Sequence, residues 1–132
     1  MKDIVEKLAA VEKRVSEEKG PFSLYALFLR EDAPDKWDLI VSAPWFHSSD
    51  KKTLDYLTGQ IQSSLKPHEL IMLSRVVVVE PTDRSVSAIQ RAVNIEHGDT
   101  EVKDSSFFGL PIKHAYIITS QKVDNNAKQP VK

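Results

Sequence analysis

A mixed α/β (α+β) domain, one β-sheet of four to five strands with about three helices in the order α-β-β-α-β-α-(β)-β, is what this sequence predicts, on three observations. Apolar residues recur at helical spacing near the N-terminus and again after residue 50; alternating or continuous apolar runs of strand length lie between and beyond them; and Gly, Pro and Ser/Asp clusters punctuate the joins. The 132 residues match the commonest size of one domain. They are read as a single globular unit over residues 1–120, followed by a polar, aperiodic tail over 121–132 that is expected to be disordered.

The first element is an amphipathic helix over residues 3–19. Ile4, Leu8, Val11 and Val15 form one stripe, with Glu6, Lys7, Glu12, Lys13, Arg14, Glu17 and Glu18 covering the rest. Gly20 and Pro21 stop it. The stripe either docks on the domain's own sheet or, through Leu8 and Val11, forms a seam with another chain. Residues 22–30 and 37–43 then read as two strands joined by a short polar link, hence an antiparallel hairpin. On the second strand Trp37, Leu39, Val41 and Ala43 share one face, and Asp38, Ile40 and Ser42 the other.

Ser48, Ser49 and Asp50 announce a helix that runs to about Lys66, with Leu54, Leu57, Ile61 and Leu65 inward and Pro67 at its end. His68 and Glu69 fall in a turn and are expected in water. Residues 70–79 are the most apolar stretch. Four consecutive valines predict a strand covered on both faces and therefore central. Arg75 within it needs a partner, and Asp38 on the neighbouring strand is the natural one. The run 37–79 is then a right-handed crossover between parallel strands. Asp83 caps a short helix over 84–93 with Val86, Ile89 and Val93 inward. Residues 94–97 read as a short edge strand before the turn at Gly98 and Asp99. Residues 112–120 form the last strand, with Ile112, His114, Tyr116 and Ile118 on one face and His114 hydrogen-bonded there.

Composition excludes several function classes. The apolar share is 41 %, the charged share 28 % and the formal net charge −1, so there is no cationic field to draw nucleic acid or an anionic membrane. The chain has no cysteine, which removes disulfides and thiolate metal sites and suits a reducing compartment. Charges punctuate the N-terminal segment, and no apolar run nears the ~20 residues that span a bilayer, so a cytoplasmic location is expected. Four isolated glycines form no phosphate loop, a nucleophile elbow is lacking, and no cofactor is implied.

If the two crossover strands are parallel neighbours, the connections 42–50 and 80–85 meet on one rim at two helix N-termini. Trp45, His47, Ser49 and Arg84 would contact a small ligand there. His47, Asp50, Glu80 and Asp83 would supply one imidazole and hard oxygens to a divalent cation, or a general base with orienting carboxylates. Against this, Asp50 and Asp83 stand where capping acids stand. Trp45 and Phe46 either close over the core or project as an anchor. Phe107, Phe108, Gly109 and Leu110 form a loop that packs under the last strand or marks an interface. The acid-x-Lys string Glu101-Val102-Lys103, which a metal nuclease needs on a strand, falls in a turn-rich region.

Two function classes follow. One is a protein-interaction or regulatory module, binding a protein partner or itself through Leu8, Val11, Phe107 and Phe108, with a small-ligand rim at the 42–50 and 80–85 loops. The alternative is a divalent-metal-dependent hydrolase or nuclease using His47, Asp50, Glu80 and Asp83.

Overall fold

A computed structural model of the chain describes residues 2–32, 35–107 and 110–123, with the backbone alone at Phe107 and Leu110. The elements are α1 (Lys2–Lys19), β1 (Leu24–Arg30), β2 (Trp37–Ser42), α2 (Lys51–Ser64), α3 (Pro67–Leu70), β3 (Leu73–Val78), α4 (Arg84–Ala92), β4 (Thr100–Phe107) and β5 (Leu110–Ser120). The five strands make one mixed sheet in the order β3-β2-β1-β5-β4. This is the predicted architecture, with one added helical turn, α3, after Pro67.

β1 and β2 form the expected antiparallel hairpin, Leu24 opposite Ser42 and Phe28 opposite Asp38. β2 and β3 are parallel neighbours joined through α2. Helices cover both sheet faces. Leu8, Val11 and Val15 of α1 and Leu57 and Ile61 of α2 pack on Tyr25, Leu27, Leu39 and Val41. Val86 and Ile89 of α4 pack on Leu24, Ala26, Phe28, Ile40 and Ile117. Faces alternate along β1 and β2 because successive side chains of a strand point to opposite sides.

Several expectations are corrected. Leu8 and Val11 are fully buried beneath α1, so they are core residues and present no seam to another chain. Glu12 was expected on the charged face of that helix, but it too is fully buried. Glu69 is buried rather than solvated: its carboxylate takes the Lys66 N–H at 2.8 Å and the Lys7 ammonium at 2.8 Å. β3 is an edge strand and not a central one. Its valines pack alternately into the two cores, Val76 and Val78 on the α2 side, Val77 and Val79 on the α4 side, which satisfies their hydrophobicity without a neighbour on the outer edge.

The C-terminal half departs further. Residues 94–97 contribute only an isolated bridge between Ile95 and Ser120; the strand is β4, further along. Glu101-Val102-Lys103 therefore does lie on a strand. On β5 a register shift sets Leu29 opposite His114 but Arg30 opposite Ile112. Ile112 consequently turns into the α4-side core, away from the face shared by Tyr116 and Ile118. Of the tail read over 121–132, Gln121 is tied to the segment leading into β1, donating its N–H to Ser23 O and its amide to Phe22 O; residues 124–132, like Phe108, lie outside the described residues.

The expected ion pair is present. Asp38, 4 % exposed, meets Arg75 Nε at 3.3 Å and Arg30 Nε at 3.7 Å, so one buried carboxylate is shared by two arginines from the flanking strands.

Because Leu8 is packed within this chain's own core, Leu8→Ala is expected to lower unfolding free energy by about 2–5 kcal/mol in a denaturant titration. A change below about 0.5 kcal/mol, the size of an ordinary surface substitution, would contradict the docked helix.

Candidate functional site

The topology does bring the two predicted connections together. Leaving parallel neighbours on the same side, they meet where Ser48 N–H donates to Glu80 Oε2 at 2.7 Å and His47 Nδ1 lies 3.6 Å from Glu80 Oε1. The Ser48 N–H is the main cause of a Glu80 carboxyl held below its ordinary range, with His47 adding to it. His47, Ser49 and Arg84 are exposed on this rim.

The other acids there are committed elsewhere. Asp50 is the N-cap of α2 and accepts the Thr53 N–H at 3.1 Å; the Thr53 hydroxyl and this N–H keep its carboxyl low. Asp83 caps α4 and accepts the Ser85 N–H at 2.8 Å. Among the described residues no three His, Cys, Asp or Glu side chains come together in a way that would hold a metal ion. Trp45 lies down on the core: its ring sits 5.1 Å from that of Phe22, edge to face, and its Nε1–H donates to Pro21 O at 3.0 Å.

A second cluster escaped the sequence reading. Glu12 projects from α1 onto the end of β5, where its Oε2 accepts the Thr119 hydroxyl at 2.8 Å and its Oε1 meets His97 Nδ1 at 2.6 Å. His97 holds φ at 57°, the left-handed region that non-glycine residues rarely occupy. Its Nε2 lies 3.6 Å from Glu96 Oε2, and Glu96 takes the Gln121 amide at 3.0 Å. Burial pushes the Glu12 carboxyl above its usual range, and the His97 and Thr119 bonds pull it partly back. A buried carboxylate aligned on an imidazole is a general-base arrangement. The adjoining cavity of about 230 Å³, however, is lined by Val5, Glu6, Ala9, His97, Gly98 and Asp99, among which there is no hydroxyl or thiol to activate. What the cluster does is fasten α1 to the far end of the sheet. The missed signal was position: Glu12 directly follows Val11 and adjoins the apolar stripe.

His114 has the expected bond, with Glu101 as its partner, and its ring lies tilted against those of Trp37 and Tyr116 at 5.5 and 4.7 Å. Lys103 Nζ reaches the same Glu101 at 3.9 Å, so that acid-x-Lys pair is satisfied by neighbours on the sheet surface.

The third place is the free edge of β3. Beside it a groove of about 300 Å³ runs between strand and helix, lined by Thr58 and Ile61 of α2, Leu70, and Leu73, Arg75 and Val76 of the strand. Ile71, 66 % exposed, is the one large apolar residue among the described residues left in solvent, and it stands at the entrance to this strand. Val79 donates its N–H to Val41 O at 2.9 Å. In a parallel ladder inward and outward residues alternate, so the N–H and C=O groups of Val76 and Val78 point away from β2 toward the open edge.

Comparison with known proteins adds no relationship: no family model matches the chain, and neither curated proteins nor solved structures give a match.

Two of these sites make pH-dependent predictions of opposite sign. Glu80 is held low, so its contribution to stability is full above the ordinary value of 4.5 and is lost as pH falls through the lowered value. Urea midpoints of the parent and Glu80→Gln should therefore differ at neutral pH and converge in acid; a constant gap down to about pH 2 would remove Glu80 from the account. Glu12 is held high, so its contribution is present below 4.5 and is lost as pH rises through the raised value. Glu12→Gln, which keeps an acceptor for Thr119, should gain on the parent as pH rises. Glu12→Ala, which strands the Thr119 hydroxyl, should be less stable than Glu12→Gln by about 1–3 kcal/mol at every pH. Equal behaviour of the two variants in denaturant titrations would show that the hydrogen bonds contribute nothing.

Proposed function

We propose that this chain is a protein-interaction module, not an enzyme, and that its binding surface is the open edge of β3 with the groove beside α2. The observation that carries the reading is the pair of outward-facing valines: two N–H donors and two C=O acceptors in an apolar run of four β-branched residues, with no strand beyond them among the described residues. Edge strands that stay free are usually blunted by charge, proline or a twisted backbone. The opposite edge of this same sheet shows the first and last of these. β4 carries Glu101, Lys103 and Asp104, and Asp104 turns its backbone to φ 53°. β3 has one irregularity near its start, between Leu73 and Arg75, and after Arg75 runs on with valine alone to Val79. An extended partner segment added there gains main-chain hydrogen bonds, and the groove lined by Ile61, Leu70 and Leu73 receives its apolar side chains.

The rim at 42–50 and 80–85 supports a smaller part. His47 beside Glu80, with Arg84 and Ser49 exposed nearby, suits a polar ligand secondary to the edge. A divalent-metal hydrolase or nuclease on His47, Asp50, Glu80 and Asp83 is the weaker reading, because two of its four groups cap helices. A net charge of −1 favours a protein over a nucleic acid as the partner. The described residues contain no helix long and apolar enough to cross a membrane, and a chain without cysteine is at home in the cytoplasm.

A synthetic hexapeptide of alternating valine and threonine serves as probe. Its addition should slow hydrogen exchange at the Val76 and Val78 amides. Val78→Pro, which removes an outward N–H and leaves the Val79 bond to β2, should abolish that effect with little change in melting temperature. Unchanged exchange at millimolar probe in a sample that sediments as a monomer would remove the edge as a binding surface. For the metal reading, Mn²⁺ should raise the melting temperature of the parent but not of His47→Ala.

A further inference from the structure

We infer that the segment occupying the β3 edge is the same segment of a second copy, paired antiparallel about a two-fold axis through Val77. The inference rests on the reading of β3 as the binding edge, and four observations select its own copy as the occupant.

The first is the hydrogen-bond register. Val76 and Val78 face outward, while Val77 and Val79 are turned toward β2. In an antiparallel ladder, pairs that exchange two hydrogen bonds alternate with pairs that exchange none. A two-fold at Val77 sets Val76 against Val78 of the second copy, and Val78 against its Val76, as the bonded pairs. Val77 meets its own equivalent as the non-bonded pair. Every outward N–H and C=O of the two valines is then used, with none left over.

The second is charge. Over residues 75–79 the strand has one charged side chain, Arg75, which this register sets opposite Val79 of the second copy, so like charges are nowhere opposed. Arg75 is paired with Asp38 at 3.3 Å, and a chain of net charge −1 repels its copy weakly.

The third is side-chain chemistry. On both faces the central opposed pairs are valine on valine, a favourable β-branched pairing. A surface built to select a foreign peptide would instead offer differentiated pockets at alternate positions.

The fourth is the neighbourhood. The same axis brings α2 antiparallel to the second copy's α2 on one sheet face, with helix dipoles opposed. The groove between Thr58, Ile61 and Val76 then lies within the contact. The product is a continuous ten-stranded sheet, twice the five strands of one chain.

The absence of cysteine supplies a clean test. Non-bonded antiparallel pairs bring Cα atoms to about 4.5 Å, inside disulfide range, whereas diagonal positions lie about 7–8 Å apart, outside it. Under mild oxidant Val77→Cys should crosslink to a covalent dimer at least tenfold faster than Val76→Cys. Sedimentation of the parent should show a concentration-dependent dimer that Val78→Pro dissociates. A second pair of variants checks the register: Val77→Lys and Val77→Glu, each verified as folded by circular dichroism, should be monomeric alone and dimeric when mixed. A parent that stays monomeric while the hexapeptide still protects Val76 and Val78 overturns the self-pairing and leaves the edge reading intact. A monomer that the peptide does not protect overturns both. A dimer that crosslinks equally at both positions, or that survives Val78→Pro, is formed through another surface and also overturns the inference.

Discussion

β1 is hydrogen-bonded along both sides and buried on both faces. It pairs antiparallel with β2 from Leu24 to Phe28 and antiparallel with β5 from Leu24 to Arg30. Six of its seven residues are buried. Tyr25, Leu27 and Leu29 serve the core under α1 and α2; Leu24, Ala26 and Phe28 serve the core under α4. Because one strand feeds both cores, the helical layers on the two faces cannot be set independently. β2 has its place only as the hairpin partner of β1, and the crossover through α2 hangs from β2. The open β3 edge is the last link in that series, displaced outward because β1 and β5 fill the centre.

Polar groups inside this frame are held in pairs that cross between elements. Asp38 joins Arg30 and Arg75, so a single carboxylate ties three adjacent strands. Glu69 joins α3 to Lys7 of α1. Glu12 joins α1 to β5 through Thr119 and to the His97 turn. Each is worth little as a net gain against hydrophobic isosteres, but removing one partner leaves the other stranded. Their effect is to fix where α1 lies on the sheet, a position that an apolar stripe alone would leave free to slide. Two buried hydroxyls, on Ser42 and Ser120, have no hydrogen-bond partner among the described residues. They flank Leu24 from either side at the end of the sheet.

Local chemistry made much of the fold legible. The α1 stripe, the Gly20-Pro21 stop, the hairpin, the caps at Asp50 and Asp83, the crossover and the Asp38–Arg75 pair all follow from short-range pattern or from one-strand alternation. Strand order did not follow. Four valines fit a strand buried between two neighbours equally well as an edge strand packed by helices on both faces, and periodicity cannot separate the two. The rim was placed correctly because it depends only on β2 and β3 being parallel neighbours. Glu12 with His97 was hidden because its partners lie 85 and 107 residues away in sequence. The face of Ile112 was misread because a bulge breaks the two-residue period on which the reading depended.

The position of β5 also bears on how the chain is made. The ladder between β1 and β5 joins Leu24 to Ser120, so the centre of the sheet closes only after residue 120 has been synthesised. Contacts of such long separation form slowly, since a large loop must be ordered before they reward it. Until β5 arrives, β1 offers a naked apolar flank and the valine run has only β2 to hold it. A ribosome-bound intermediate of this protein would expose both at once, which makes the interval before the last strand emerges the period of greatest hazard for misassociation.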